Sequence, residues 1–317
     1  MKTASILVTG ASGFVGRSLC AELFRQGHAV RVAVRSENVH VDSFERAIVG
    51  SVDDGVDWSS ALDGMDVVVH LAARVHVMHE TVSDPLLVFR ATNVEGTLNL
   101  AKQAAAAGVR RFIFISSTGV NGAQTTLPFT ELDSPNPHNA YTLSKWEAEQ
   151  GLQEISKETG LEIVIIRPPL VYGAHAPGNF ASLIRAVQRG IPLPLGAIHN
   201  KRSFVYVGNL VSLILRCIDQ PAAANQVFLV SDGCDLSTTE LLRGCAKALG
   251  VKSRLLPVPQ KLIEAGSALI GKRDVAQRLC GNLQVDITKA RTLLGWTPPI
   301  SVTDGLKATA LGPAKNE

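Results

Sequence analysis

Short runs of aliphatic and β-branched residues recur through the first half of the chain, each followed by a stretch in which apolar residues return every three or four positions. The runs are Ile6 to Thr9, Val30 to Val34, Val67 to Leu71, Phe112 to Ser116 and Ile163 to Arg167. The helical patterns between them include Gly16 to Gln26, Asn93 to Ala107 and Tyr141 to Lys157. Runs that are apolar throughout, rather than alternating, predict strands covered on both faces. Their alternation with helices predicts βαβ units and a doubly wound parallel sheet. After Tyr172 the texture changes: Pro177, Gly178, Pro192, Pro194 and Gly196 crowd in and the alternation is lost. This predicts a first domain over 1–172 and a smaller second one over 173–310, with segments that return to the sheet. The stretch Leu311 to Glu317 reads as a frayed tail. No internal repeat is present.

The first predicted strand runs directly into Thr9-Gly10-Ala11-Ser12-Gly13-Phe14-Val15-Gly16 and then a helix. Glycines three apart allow a tight turn, close backbone approach to a pyrophosphate and packing of helix on strand. The helix N-terminus adds N–H donors and a positive dipole end. A bare strand–helix turn can use the same glycines, but their place at the first strand favours a dinucleotide. At the end of the second strand, where an acid would bond a ribose 2′-hydroxyl, stand Val34, Arg35 and Ser36. A guanidinium there suits a 2′-phosphate, so the expected cofactor is NADP, with NAD as the alternative.

Tyr141-Thr142-Leu143-Ser144-Lys145 puts a phenol and an ammonium one helical turn apart on one face. An ordinary Tyr has a pKa near 10, and a neighbouring Lys⁺, helped by a positive nicotinamide ring, is expected to bring it down. Upstream, the fourth strand ends in Ser116-Ser117-Thr118 at the carboxyl edge of the sheet, where ligands of such folds bind. Ser117 can offer its hydroxyl to a substrate oxygen beside Tyr141.

Composition narrows the field further. A net charge of +3 without a Lys/Arg run excludes a nucleic-acid stripe. The apolar runs are strand-length, too short for a membrane span, and residues 1–10 lack the pattern of a signal peptide. Five cysteines without a C-x-x-C or a His partner at ligand spacing read as reduced residues of a cytoplasmic protein, with no metal expected.

Taken together, these residues resemble the extended short-chain dehydrogenase/reductases, and among them the NAD(P)-dependent sugar-nucleotide epimerase/dehydratase family, over nearly the whole chain. The resemblance is carried by Thr9 to Gly16, His70-Leu71-Ala72-Ala73, Asn93 to Thr97, Ser116-Ser117, Tyr141 to Lys145, Arg167-Pro168, Val171-Tyr172-Gly173, Asp286 to Ala290 and Leu294-Gly295-Trp296. It implies a Rossmann-type α/β fold with a smaller C-terminal substrate-binding domain, and Ser117, Tyr141 and Lys145 as catalytic residues. The cofactor would be held by Gly10, Ser12, Gly13, Phe14, Val15, Gly16, Arg35, Leu71, Ala72, Ala73, Asn93, Lys145 and Pro168. A UDP-sugar would meet Ser117, Thr118, Asn179, Phe180, Leu193, Arg202 and, as a weaker match, Arg278. The chain departs from the family pattern at Leu170, where relatives often carry Asn. It departs again at Gly119-Val120, where dehydratases carry an acidic pair, so dehydration is not expected. The loop Arg74 to His79 could touch the sugar without a role assigned to either histidine. The resemblance also implies a homodimer paired through the helices at Asn93 to Ala107 and Tyr141 to Lys157. The leading expectation is a reductase of a UDP-4-keto-hexose, because Arg35 favours NADP. The alternatives are a UDP-hexose 4-epimerase with bound NAD and a non-enzymatic NADP-binding regulator.

Overall fold

The structure, a computed structural model, describes residues 3–39, 44–75, 84–269, 271 and 273–311, without the side chains at 179, 181, 273 and 274. His76 to His79, the second half of the loop considered for sugar contact, lies outside the described residues. The N-terminal half reads β1 (Ser5–Thr9), α1 (Phe14–Arg25), β2 (Ala29–Val34), β3 (Glu45–Ile48), α2 (Ser59–Leu62), β4 (Val67–His70), α3 (Pro85–Arg90), α4 (Gly96–Ala106), β5 (Arg111–Ile115), α5 (Ala140–Thr159), β6 (Glu162–Arg167) and β7 (Leu170–Tyr172). The rest comprises α6 (Asn179–Gln188), β8 (Phe204–Tyr206), α7 (Val207–Asp219), β9 (Gln226–Leu229), α8 (Thr238–Ala248), α9 (Gln260–Leu269), α10 (Arg273–Cys280), α11 (Thr288–Leu294) and α12 (Val302–Leu311).

Seven strands form one sheet in the order β3-β2-β1-β4-β5-β6-β9, every pairing parallel. This is a Rossmann-type doubly wound sheet, and its order reverses at β1/β4, where ligand crevices form. Alternate residues of each strand feed opposite cores. Val8, Val69, Ile113 and Val164 pack with Leu19 and Leu23 of α1 and Leu210 and Ile214 of α7. Leu7, Val68, Phe112 and Ile163 pack on the other face with Leu100 of α4 and Leu152 of α5. Burial on both faces is why these strands are apolar throughout.

Beyond β6 the chain leaves the sheet, pairs β7 with β8 in a small parallel ribbon, and comes back as α7 and β9. A separate cluster of Tyr172, Phe180, Phe204, Leu241 and Leu306 holds the ribbon against α6, α8 and α12. The segment through α11 then returns to the sheet's α7 face, where Ala290, Leu294 and Trp296 are buried.

The helix expected from Asn93 begins earlier. Asp84 caps it, accepting from Leu86 N at 3.0 Å, with Pro85 in the first helical position. A π-helical turn at Ala91–Glu95 separates α3 from α4.

Candidate active site

β1 ends at Thr9 and the chain turns at Gly10, whose φ of +68° strains any residue with a Cβ. Gly13 N–H donates to Gly10 O at 3.0 Å, and α1 starts with no side chain capping its N-terminus. A Cβ on Gly10 would lie 2.8 Å from Ala72 N, and one on Gly16 would run into the backbone of Gly10 and Ala11. The glycine loop, α1 and the Leu71–Ala73 segment therefore touch backbone to backbone. This leaves the uncapped N–H groups of α1, beside Ser12, Phe14 and Val15, as a cradle with the right donors for a pyrophosphate. Thr9 Oγ1 fixes the segment after β4: it accepts from Ala72 N at 3.1 Å and bonds His70 Nδ1 at 2.8 Å. His70 Nε2 continues to Thr97 Oγ1 at 3.0 Å. Burial, helped by the nearby Lys145 charge, pushes the His70 ring down to about 3, so it stays neutral. These residues fit a dinucleotide. Arg35 is exposed at the end of β2 and has no hydrogen bond or ion pair among the described residues.

Asn139 caps α5 by accepting from Thr142 N at 2.9 Å, while Thr142 Oγ1 accepts from Asn139 N at 3.2 Å. This reciprocal pair sets the first turn of α5, which carries Tyr141. One turn on, Lys145 is buried. Its Nζ donates to Ile115 O at 2.9 Å and sits 4.3 Å over the Phe114 ring. Ser117 opens a short 3₁₀ turn over Thr118–Val120, its Oγ accepting from Gly119 N at 3.0 Å. A Cβ on Gly119 would overlap the Thr142 methyl group, so the Ser117 turn lies directly on the turn that bears Tyr141. The three residues expected to act together thus sit on two adjoining segments, the end of β5 and the start of α5.

Lys145 by itself does not lower the phenol pKa in this structure. Burial pushes Tyr141 up to about 12 and Lys145 down to about 7, with Glu149 partly offsetting the second shift. The Lys145 ammonium is directed at Ile115 O, and the half-buried phenol is held in its proton-donating form.

Behind Lys145 lies a group that the sequence reading missed. Glu149, fully buried, pairs with Arg167 through Nη2–Oε2 at 2.5 Å and Nε–Oε1 at 3.0 Å, and accepts from Ser116 Oγ at 2.5 Å. Arg167 Nη1 also donates to Asn121 Oδ1 at 3.1 Å. Next to Arg167, the Pro168 carbonyl accepts from Thr118 N at 3.0 Å and Thr118 Oγ1 at 3.1 Å. One carboxylate therefore ties α5, β5 and β6 at their active ends. Its signal was available: Glu149 follows Lys145 by the same four residues that separate Lys145 from Tyr141. Asn93, in the π turn, donates to Ser144 Oγ at 3.0 Å and bonds both Arg74 N and Arg74 O, pinning the loop after β4 to the back of α5.

The second group of expected residues is more dispersed. Phe180 is buried against Tyr172, ring centroids 5.9 Å apart, and Leu193 is half-buried in a bridge to Leu255. Arg202 Nη1 donates to Gly281 O at 2.9 Å, and burial pulls its guanidinium below the usual arginine value. Arg278 is exposed on α10, and Asn179 opens α6 with its side chain outside the described residues. The Thr118 hydroxyl is committed to Pro168 O.

Residues 6–231 match the model of the NAD dependent epimerase/dehydratase family. A UDP-glucose 4-epimerase of Vibrio cholerae is 48% identical over 310 residues, covering 96% of this chain and 94% of that one. Among solved structures, a UDP-N-acetylglucosamine 4-epimerase from Bacillus cereus superposes with a TM-score of 0.80 at 22% identity, over 98% of this chain and 96% of that one. A UDP-glucuronic acid 4-epimerase from Bacillus cereus in complex with NAD gives 0.77 at 23%, over 96% and 95%. With a glycine-lined cradle at β1, a Ser/Tyr/Lys set on β5 and α5, and this extent of likeness, the chain belongs to the NAD-dependent epimerase/dehydratase family of extended short-chain dehydrogenase/reductases.

Proposed function

We propose that this protein is a UDP-hexose 4-epimerase, reversing its reading from sequence in favour of the alternative. The observation that carries this choice is the 48% identity to a UDP-glucose 4-epimerase along 96% of the chain. Ser117 and Tyr141 would bond the sugar's 4-oxygen, and Tyr141 would accept and return its proton. Lys145, whose Nζ donates to Ile115 O, would steady the ribose. The α1 cradle, Ala72 and Pro168 would hold the cofactor, which would supply hydride acceptance and return at C4 and a positive ring that favours the phenolate. Arg202, with Phe180 and Leu193 nearby in the chain, would take the UDP moiety. Gly119 supports a reaction without dehydration: no acidic side chain fits there while Thr142 keeps its place. The two domains divide near Tyr172, with β9 and α11 lent back to the first. Pairing through α4 and α5 would make a homodimer, and the thiols, all free, suit a cytoplasmic setting.

A second reading, reduction of a UDP-4-keto-hexose with NADPH, is favoured by one observation, Arg35 at the ribose end of β2, without a partner among the described residues. One experiment separates the two. Under the first reading, UDP-glucose incubated with protein as purified equilibrates with UDP-galactose, followed by NMR, without added cofactor. No interconversion, together with stoichiometric NADPH consumption on a 4-keto substrate, would replace it with the second.

A further inference from the structure

The C-terminal part of the chain carries a surface that this chemistry does not use. Between Glu240 and Glu264 stand five basic residues, Arg243, Lys247, Lys252, Arg254 and Lys261, and no acidic one, in a chain whose whole excess is three charges. All five are exposed, and Arg243 has Glu240 beside it. The last of them, Lys261, lies in the first turn of α9, a ten-residue helix with no buried residue. Leu262 and Leu269, two turns apart on one side of it, are 63% and 88% exposed, and Leu256 just before it is 50% exposed. The basic stretch also runs beside the end of α6. Leu193 N donates to Arg254 O at 3.0 Å, which places Ile191, 46% exposed, next to the Arg254 backbone.

A helix this short is marginal in water without an apolar face to bury; Ile263 turns inward against the core of the second domain, while Leu262 and Leu269 are left pointing outward. Three occupants could cover them. A second copy related by a twofold axis would set the five cations against the same five, which repel. A nucleic acid would answer the cations and leave the leucines in water. An anionic bilayer answers both, with leucines at the acyl boundary and cations among the headgroups. No described helix is long and apolar enough to cross a membrane, so the contact is peripheral. We propose that the α9 face and the basic stretch that leads into it dock on an anionic lipid surface.

The test is co-sedimentation of the full chain with vesicles of phosphatidylglycerol and phosphatidylethanolamine, against pure phosphatidylcholine. The protein should pellet with the anionic vesicles, leave them at high salt, and ignore the neutral ones. Each surface cation is worth roughly fivefold in affinity, and L262E/L269E should lower binding by about tenfold or more. Circular dichroism and the thermal midpoint of that variant should match the parent, since neither leucine is in the core. The proposal is overturned if the parent stays in the supernatant, if neutral vesicles bind it equally, or if L262E/L269E binds as well as the parent. A halved solution mass of the variant would assign the face to a second copy and overturn it equally. The readout is binding, so it stands whether or not UDP-glucose proves to be a substrate.

Discussion

At the scale of single residues, the chemistry rests on groups whose protonation burial has set. Tyr141→Phe keeps the ring against Phe89, 6.1 Å between centroids, and removes only the hydroxyl. Turnover should fall roughly 10²- to 10⁴-fold with cofactor affinity unchanged in a fluorescence titration. His70 gives a stability signature. Its folded pKa is depressed to about 3 from an unfolded value near 6.5, so between those values the unfolded chain binds more protons. Its contribution is complete above pH 6.5 and is lost as pH falls towards 3, by up to about 1.4 kcal/mol per pH unit. Urea midpoints of His70→Gln should depend less steeply on acid in that window. A parallel dependence would remove His70 as the cause. Arg35→Ala should weaken NADPH roughly 10- to 150-fold and leave NADH unchanged if the guanidinium meets a 2′-phosphate. Equal losses would make Arg35 a surface residue. Tyr141 and Lys145 stood out as candidates by their spacing, but their pKa directions were not legible. Those depend on Phe114, Ile115 and Glu149, which the fold brings to Lys145 from β5 and the next turn of α5.

At the scale of elements, the site is held where α5 meets the ends of β5 and β6. Removing one partner of the Glu149–Arg167 pair strands the other charge in the core. Glu149→Ala should therefore cost about 3–5 kcal/mol in denaturant unfolding. The double change Glu149→Met with Arg167→Met should recover most of that, and a double mutant no more stable than the single one would show that the ion pair is not what binds α5 to β6. The five strands of the first half were legible because two-sided burial leaves continuous apolar runs. β3 was missed because Glu45–Ile48 is a short, mostly exposed edge strand paired on one side only. β9 escaped notice because its partner β6 lies some sixty residues away, with the β7–β8 ribbon between them. The start of α3 could have been read from Asp84-Pro85. The π turn that places Asn93 has no comparable signature in the chain.

At the scale of the whole molecule, α4 and α5 cover one sheet face and leave Leu143 and Trp146 of α5 half-buried. A twofold dimer through these helices would give a light-scattering mass near twice the 33.7 kDa of one chain, and a monomer at micromolar concentration would remove it. The division near Tyr172 was visible as a change of texture, whereas the return of later segments to the sheet is a matter of long-range pairing that local patterns do not record. That return matters during synthesis. Until β9 and α7 have left the ribosome, β6 is an open edge and the α1 face, with Leu19 and Leu23, lacks its cover. A nascent chain paused after Tyr172 would therefore hold the glycine loop, Tyr141 and Lys145 in an unfinished, adhesive sheet. Until residues 204–229 arrive, that open edge and uncovered face are surfaces a chaperone can hold.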